Sequence, residues 1–168
     1  IFLIFRHYLV IYYIMPKNKY FSLFLILFIT FFASAIGSFI STTFKEPWYS
    51  QIILPSLNPP SWVFGPVWTI LYIMMSIAIW RVWINSLDLK ILKIYFIHLF
   101  FNAIWSIIFF GFHLIGLALI NLIIIIIFII LLMKIYFSKD KISFYLMTPY
   151  FFWSTYALFL NFSIFFLN

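Results

Sequence analysis

The chain has no cysteine, and among its 168 residues it has three acidic side chains and four glycines. The missing thiols exclude disulfides, zinc thiolate sites and cysteine nucleophiles. The only carboxylate side chains are Glu46, Asp88 and Asp140, each read as a loop residue, on different sides of a membrane or far apart along the chain. No pair is available for general acid–base work, no His/Asp/Glu cluster has metal-ligand spacing, and no Ser-His-Asp order or glycine-rich phosphate loop occurs. Catalytic residues of these kinds and a metal site are therefore not expected. Charge is scarce altogether, at 8% of residues against 67% hydrophobic, with a mean hydropathy of +1.20. A soluble globule of this length could not cover so much apolar surface, so the chain is read as an integral membrane protein whose first partner is the lipid bilayer.

Long apolar runs are what the chain has instead. Phe21 to Phe44, Val63 to Trp80, Ile94 to Met133 and Ile142 to Asn168 carry no charged residue. A hydrocarbon core of about 30 Å takes about 20 helical residues, so the third run must be two helices folded back near Gly111, Phe112 and His113. The expected fold class is an all-α membrane protein, a five-transmembrane-helix bundle with spans at 21–44, 63–84, 92–111, 114–135 and 143–166. A β-barrel would alternate apolar and polar residues over segments of about ten, and the unbroken run Ile123 to Ile127 argues against it.

Ile1 to Ile14 is too short to span and holds Arg6 and His7, while Met15-Pro16-Lys17-Asn18-Lys19 reads as a natural start with a basic flank. Residues 1–19 are thus expected to be an extension and flank, and 20–168 the membrane domain. Arg6, Lys17, Lys19, Arg81, Lys90, Lys93, Lys134, Lys139 and Lys141 fall at one end of the expected bundle, and Lys45 at the other. The positive-inside rule then places the amino terminus in the cytoplasm and the carboxyl terminus outside. The bias toward Ile, Phe, Lys and Asn suggests a bacterial inner membrane. The lysines hug helix ends and form no dense patch, so nucleic acid is not an expected partner.

Polar and aromatic residues recur at helical spacing in three spans. Gly65, Trp68, Tyr72, Met75 and Ile79 form one stripe; His98, Asn102, Trp105 and Phe109 a second; Tyr150, Trp153, Ala157 and Leu160, with Asn161 beside them, a third. Lipid gains nothing from amides, imidazoles or phenols at depth, so these faces should turn inward and could enclose an apolar cavity. The proline and tryptophan density of Asn58 to Thr69 also exceeds what a plain span needs.

Several of these residues form a recognisable pattern. Trp48-Tyr49, Pro55, Asn58-Pro59-Pro60-x-Trp62-Val63-Phe64-Gly65-Pro66-Val67-Trp68-Thr69-x-Leu71-Tyr72 and Met74 are followed by Asn102-x-x-Trp105-Ser106, Phe109-Phe110-Gly111, Gly116-x-Ala118, Pro149-Tyr150-x-x-Trp153, Ala157 and Leu160-Asn161. In order and spacing, from about Gly37 to Asn168, the chain resembles the TspO/MBR family of tryptophan-rich sensory and translocator proteins.

The resemblance implies a five-helix bundle, usually a homodimer, with a pocket closed on one side by the loop between the first two spans. It implies porphyrins and haem precursors as ligands and, in mitochondrial relatives, cholesterol and benzodiazepine-type drugs. The implied roles are tetrapyrrole transport, sensing or stress regulation, or light-dependent porphyrin degradation. No cofactor is required, the porphyrin or haem-type tetrapyrrole being the ligand. The expected ligand-binding residues are Trp62, Trp68, Tyr72, His98, Asn102, Trp105, Tyr150, Trp153, Ala157 and Leu160. Trp48, Pro55, Asn58, Pro59 and Pro60 belong to an expected lid loop at about 45–62. By the resemblance, Trp68 and Trp153 match positions tied to porphyrin photochemistry, and Ala157 a position where side-chain size affects binding. The residue types suit such a ligand, because indole and phenol rings offer a flat π-system stacking faces at small rotamer cost. Prolines restrict the lid's open states, so ordering it costs less.

Blander readings compete at particular positions. Trp80 and Trp83 flank Arg81 and are expected in the interfacial belt, with Arg81 snorkelling. Asn102 and Asn161 equally suit interhelical hydrogen bonds. His98 stands where the family commonly has Gln and is read as a polar pocket or interhelical residue ahead of a haem ligand. His113 is read as a turn residue, and Met75, where glycine is usual, should crowd the packing or the pocket floor. Carriage of another hydrophobic molecule such as a sterol is a weaker alternative. The proposed sterol pattern occurs at both Leu132/Tyr136/Lys139 and Val10/Tyr13/Lys17, so it discriminates little. Ion-coupled transport is disfavoured because no Asp or Glu lies inside an expected span, Pro149 being the one clear break.

Overall fold

Asn18 starts the first helix by offering its side-chain oxygen to the backbone N–H groups of Tyr20 and Phe21, at 3.1 and 3.3 Å. These are two of the donors that a helix leaves unpaired at its start. The computed structural model describes residues 18–168. Helix α1 runs Lys19–Phe44, and α2, Trp48–Gln51, is one turn in the loop that follows. The others are α3 (Ser61–Ser86), α4 (Leu89–Ser106), α5 (Ile115–Lys139) and α6 (Lys141–Leu167). A π-helical turn, Ile107–Gly111, extends α4. The described residues therefore form a five-span α-helical bundle: α1, α3, extended α4, α5 and α6 are each long and apolar enough to cross a membrane. The expected extension at 1–14, with Arg6 and the Val10/Tyr13/Lys17 pattern, lies outside the described residues.

The connections at the two ends differ. At the charged end α3 and α4 are joined by Leu87 and Asp88 alone. Leu87 adopts a left-handed conformation (φ 48°) and its N–H bonds the Trp83 carbonyl at 2.8 Å, while Asp88 accepts from the Lys90 N–H at 3.0 Å to start α4. A single residue, Asp140, separates α5 from α6. At the opposite end, the turn after Gly111 passes through Phe112, His113 and Leu114, with His113 at φ 58°, and residues 45–60 connect α1 to α3. Pro149, expected as a break, is not one: α6 continues through it, supported by the helices packed against it.

Helix α6 packs against α3 and α5, α4 against α5, and α1 against both α3 and α4. The charged half is filled. Met75, Ile79, Trp83, Tyr95, Ile129, Tyr136 and Met147 are all buried there, and the Thr30 and Tyr95 hydroxyls pair at 2.6 Å between α1 and α4. Trp83 is consequently not an interfacial residue. It follows Ile79 by four positions and continues the Tyr72–Met75–Ile79 stripe into the core. Trp80 does lie at the edge, where its indole N–H donates to the Lys19 carbonyl at 2.8 Å.

Arg81 does not simply snorkel. Its Nε and Nη2 donate to Asp140 Oδ2 and Oδ1 at 2.8 and 3.2 Å, a two-pronged pair between α3 and the α5–α6 link. The guanidinium and the Ser143 hydroxyl, 2.6 Å from Oδ2, hold the Asp140 carboxyl down at about 2 despite partial burial. Lys139 Nζ reaches Asp88 at 3.8 Å, so Asp88 and Asp140, distant along the chain, stand at the same end of the bundle, as the expected spans place them. Gly37 marks a close approach of α1 to α4, since a Cβ there would meet Ser106 Oγ at 3.1 Å.

Candidate functional site

The other half of the bundle is hollow. Five helices and the α1–α3 loop enclose a cavity of about 620 Å³, within the roughly 300–1,000 Å³ of small-molecule sites. Trp68 of α3, Trp105 of α4 and Trp153 of α6 all face it, with Phe64, Phe109, Leu122 and Ile125 completing the apolar wall. The rings are braced by one another. Trp68 stacks on Tyr72 with centroids 5.4 Å apart, Trp105 stacks on Phe109 at 5.0 Å, and Phe64 meets Trp153 edge-on at 6.0 Å.

A chain of hydrogen bonds runs from the floor of the cavity into the packed half behind it. The Tyr72 hydroxyl donates to Asn102 Oδ1 at 2.7 Å, and Asn102 Nδ2 donates to the Tyr150 oxygen at 2.9 Å. The Tyr150 oxygen also lies 2.8 Å from His98 Nε2, in a hydrogen bond whose direction follows the imidazole tautomer. On the wall, Trp105 Nε1 donates to Asn161 Oδ1 at 3.2 Å, and Asn161 Nδ2 to the Ile115 carbonyl at 3.1 Å. Asn102 and Asn161 thus tie helices together and border the cavity at once.

Of the expected ligand-binding residues, Trp68, Tyr72, Asn102, Trp105, Trp153, Ala157 and Leu160 border this cavity. Tyr150 and His98 do not: both are fully buried behind the floor, and His98 Nε2 is occupied by Tyr150, which argues against axial haem ligation. Trp62 also lies off the cavity and is 75% exposed. Six residues before Trp68, at about 100° each, it sits a third of a turn away from that side chain. Met75 fills the solid half one turn beyond Tyr72 rather than the cavity itself.

In the loop, Asn58 faces the cavity, whereas Trp48, Pro55, Pro59 and Pro60 do not. Trp48 instead stacks on His113 at 4.4 Å and meets Phe109 edge-on at 5.4 Å. His113, read as a plain turn residue, therefore docks the loop onto the α4–α5 turn. The Asn168 side chain bonds both the N–H and the carbonyl of Ile53, at 2.9 and 3.1 Å, and the Tyr156 hydroxyl donates to the Leu57 carbonyl. Tyr49 borders the cavity, its phenol pushed up by burial.

Helix α1 supplies a wall that the three aromatic stripes did not reveal. Ser34, Gly37, Ser38, Ser41 and Thr42 border the cavity at spacings of three and four. Small hydroxyl residues at that period in a span otherwise rich in Phe, Leu and Ile were the available signal. Ser38, Thr42, Ser61, Gly65 and Thr69 are exposed as well as lining, so the hollow opens along the seam between the end of α1 and the start of α3.

The comparisons with known proteins agree with this architecture. The TspO/MBR family profile matches residues 24–167. The chain is 35% identical over 144 residues to a tryptophan-rich sensory protein of Cereibacter sphaeroides, covering 84% of this chain and 91% of that one. It is 34% identical over 136 residues to the tryptophan-rich protein TspO of Archaeoglobus fulgidus, covering 79% and 87%. It is 28% identical over 141 residues to the human translocator protein, covering 79% and 83%.

Proposed function

The chain belongs to the TspO/MBR family, and from that premise we propose that its cavity is a membrane receptor site for a porphyrin or related tetrapyrrole, serving tetrapyrrole transport, sensing or stress regulation. The observation that carries this reading is the convergence of Trp68, Trp105 and Trp153 on one apolar hollow of about 620 Å³ with a hydrogen-bonding floor. A wide π-system can stack on such walls, while Tyr72 and Asn102 offer polar contact at one edge. In the proposal the 45–62 loop is the lid over the bound ligand.

The test is titration of the purified protein with protoporphyrin IX, followed by tryptophan fluorescence. Saturable quenching is expected, largely removed in Trp68→Phe/Trp153→Phe. Unchanged quenching in that double variant would count against this cavity as the site.

A second reading, light-dependent degradation of the ligand, is favoured by the contact of Trp68 with both Tyr72 and Tyr150. Stacked and edge-on rings give an oxidised indole nearby electron donors. Illumination of the complex followed by mass spectrometry separates the readings: altered tetrapyrrole supports degradation, and intact ligand supports a receptor or carrier.

The same proposal places the protein as a homodimer in a bacterial inner membrane, with the Arg81–Asp140 end cytoplasmic and the lid outside. Because the chain lacks cysteine, single cysteines at Lys139 and Ser56 can be labelled from either side. Labelling of Lys139→Cys from outside would reverse the orientation.

A further inference from the structure

Two cations of the solid end have carboxylate partners, Arg81 with Asp140 and Lys139 with Asp88, while Lys19 and Lys141 there lie over the Tyr20 and Phe137 rings at 4.9 and 5.9 Å. Lys45 is the one cation at the hollow end among the described residues, and it has no carboxylate within ion-pair reach there. Its ammonium has neutral company instead: Ser61 Oγ at 3.1 Å and the face of the Tyr49 ring at 4.6 Å. Both Lys45 and Ser61 border the cavity, so their bond spans the top of the α1–α3 seam. The adjacent Glu46 also borders the cavity, but it is exposed to solvent and makes no ion pair with Lys45.

An apolar hollow whose mouth holds a cation between neutral partners, with the Glu46 carboxylate beside it exposed to solvent, suits an amphipathic guest: a flat hydrophobic body inside, and an anionic oxygen group meeting the cation. We infer that Lys45 is the carboxylate-recognition residue of this site, selecting tetrapyrroles with free acid side chains over neutral ones of the same shape. The inference rests on the porphyrin reading above. The incoming carboxylate replaces Ser61 as the acceptor from Lys45 Nζ, exchanging a neutral hydrogen bond for a charge-assisted one. The Tyr49 ring keeps the ammonium over the cavity meanwhile.

The experiment compares protoporphyrin IX with its dimethyl ester, identical in ring and lacking both charges. Each is titrated into the full protein in phosphatidylcholine nanodiscs, with tryptophan quenching as readout. The wild type is expected to favour the acid by about tenfold, the worth of one charge-assisted hydrogen bond. Lys45→Gln should bring the acid-to-ester ratio toward that of empty nanodiscs, and Lys45→Arg should retain it. Equal ratios in wild type and Lys45→Gln would overturn the inference while leaving the porphyrin site standing, whereas failure of both compounds to bind would overturn both. A lipid phosphate is the other source of an anionic oxygen. If phosphatidylglycerol in the nanodiscs abolishes the acid's advantage, Lys45 is a headgroup contact and the inference falls; persistence of the advantage supports it.

Discussion

The two halves of this bundle are built from the same five helices, yet one is solid and the other hollow. In the half around Trp83, Tyr95 and Tyr136, large side chains from four spans meet and exclude solvent, and links of two residues and one residue hold the helix ends together. In the half around Trp68, Trp105 and Trp153, equally large rings line a space instead of filling it, and a sixteen-residue connection, 45–60, covers the end. Aromatic content therefore does not distinguish core from site here. What differs is the company the rings keep: Met75, Ile79, Ile129 and Met147 are buried among those of the solid end, while the small side chains of Ser34, Gly37, Ser38 and Ala157 join those of the hollow one.

That contrast can be broken most directly by deleting a ring from each half. Trp83→Ala leaves a void in close-packed surroundings and should cost about 3–5 kcal/mol of stability. Trp68→Ala only widens an existing space and should cost well under half as much, while removing most porphyrin binding. Unfolding of both variants by a denaturing detergent measures the difference, and equal losses would mean that the hollow half is as tightly packed as the other.

A smaller effect is expected from filling the hollow. Ala157→Phe should weaken porphyrin binding by about tenfold and shift stability by less than about 1 kcal/mol, because it grows into open space rather than a packed core. A large stability loss with unchanged binding would place Ala157 in the wrong half.

The smallest effect concerns the link at the solid end. Asp140→Asn should cost about 1 kcal/mol, since its Arg81 partner is partly exposed. The Asp140 carboxyl is held at about 2 in the folded protein, below its ordinary value near 4. Its contribution is therefore complete above about pH 4 and disappears as pH falls through about 2. The variant should lack that part of the acid sensitivity, measured as thermal stability between those limits.

Much of the architecture was legible because charge is so rare. Each cluster of Lys and Arg marks a helix end, and the apolar gaps between them have the length of a span or of two. The aromatic stripes were also legible, because a period of three and four in Trp, Tyr and Asn has no use facing lipid. The α1 wall was harder to read, since serine and glycine in a span also serve ordinary helix packing, as Gly37 does against Ser106. His98 and Tyr150 shared the stripes of cavity residues but belong to the layer behind. Periodicity fixes a side chain's direction and says nothing about how far along that direction the hollow begins. Position near a helix end suggests the interface for both Trp83 and Arg81; Trp83 instead continues the stripe of its own helix past Ile79 into the core, and the partner of Arg81, Asp140, lies 59 residues further along the chain.

The seam between α1 and α3 has a practical consequence. A ring-lined hollow open along the side of a membrane protein is within reach of acyl tails and detergent chains, which a ligand entering by the seam would have to displace. On the proposed reading, a dissociation constant measured for this cavity is an exchange constant, and it should shift with the chain length and concentration of the surrounding amphiphile.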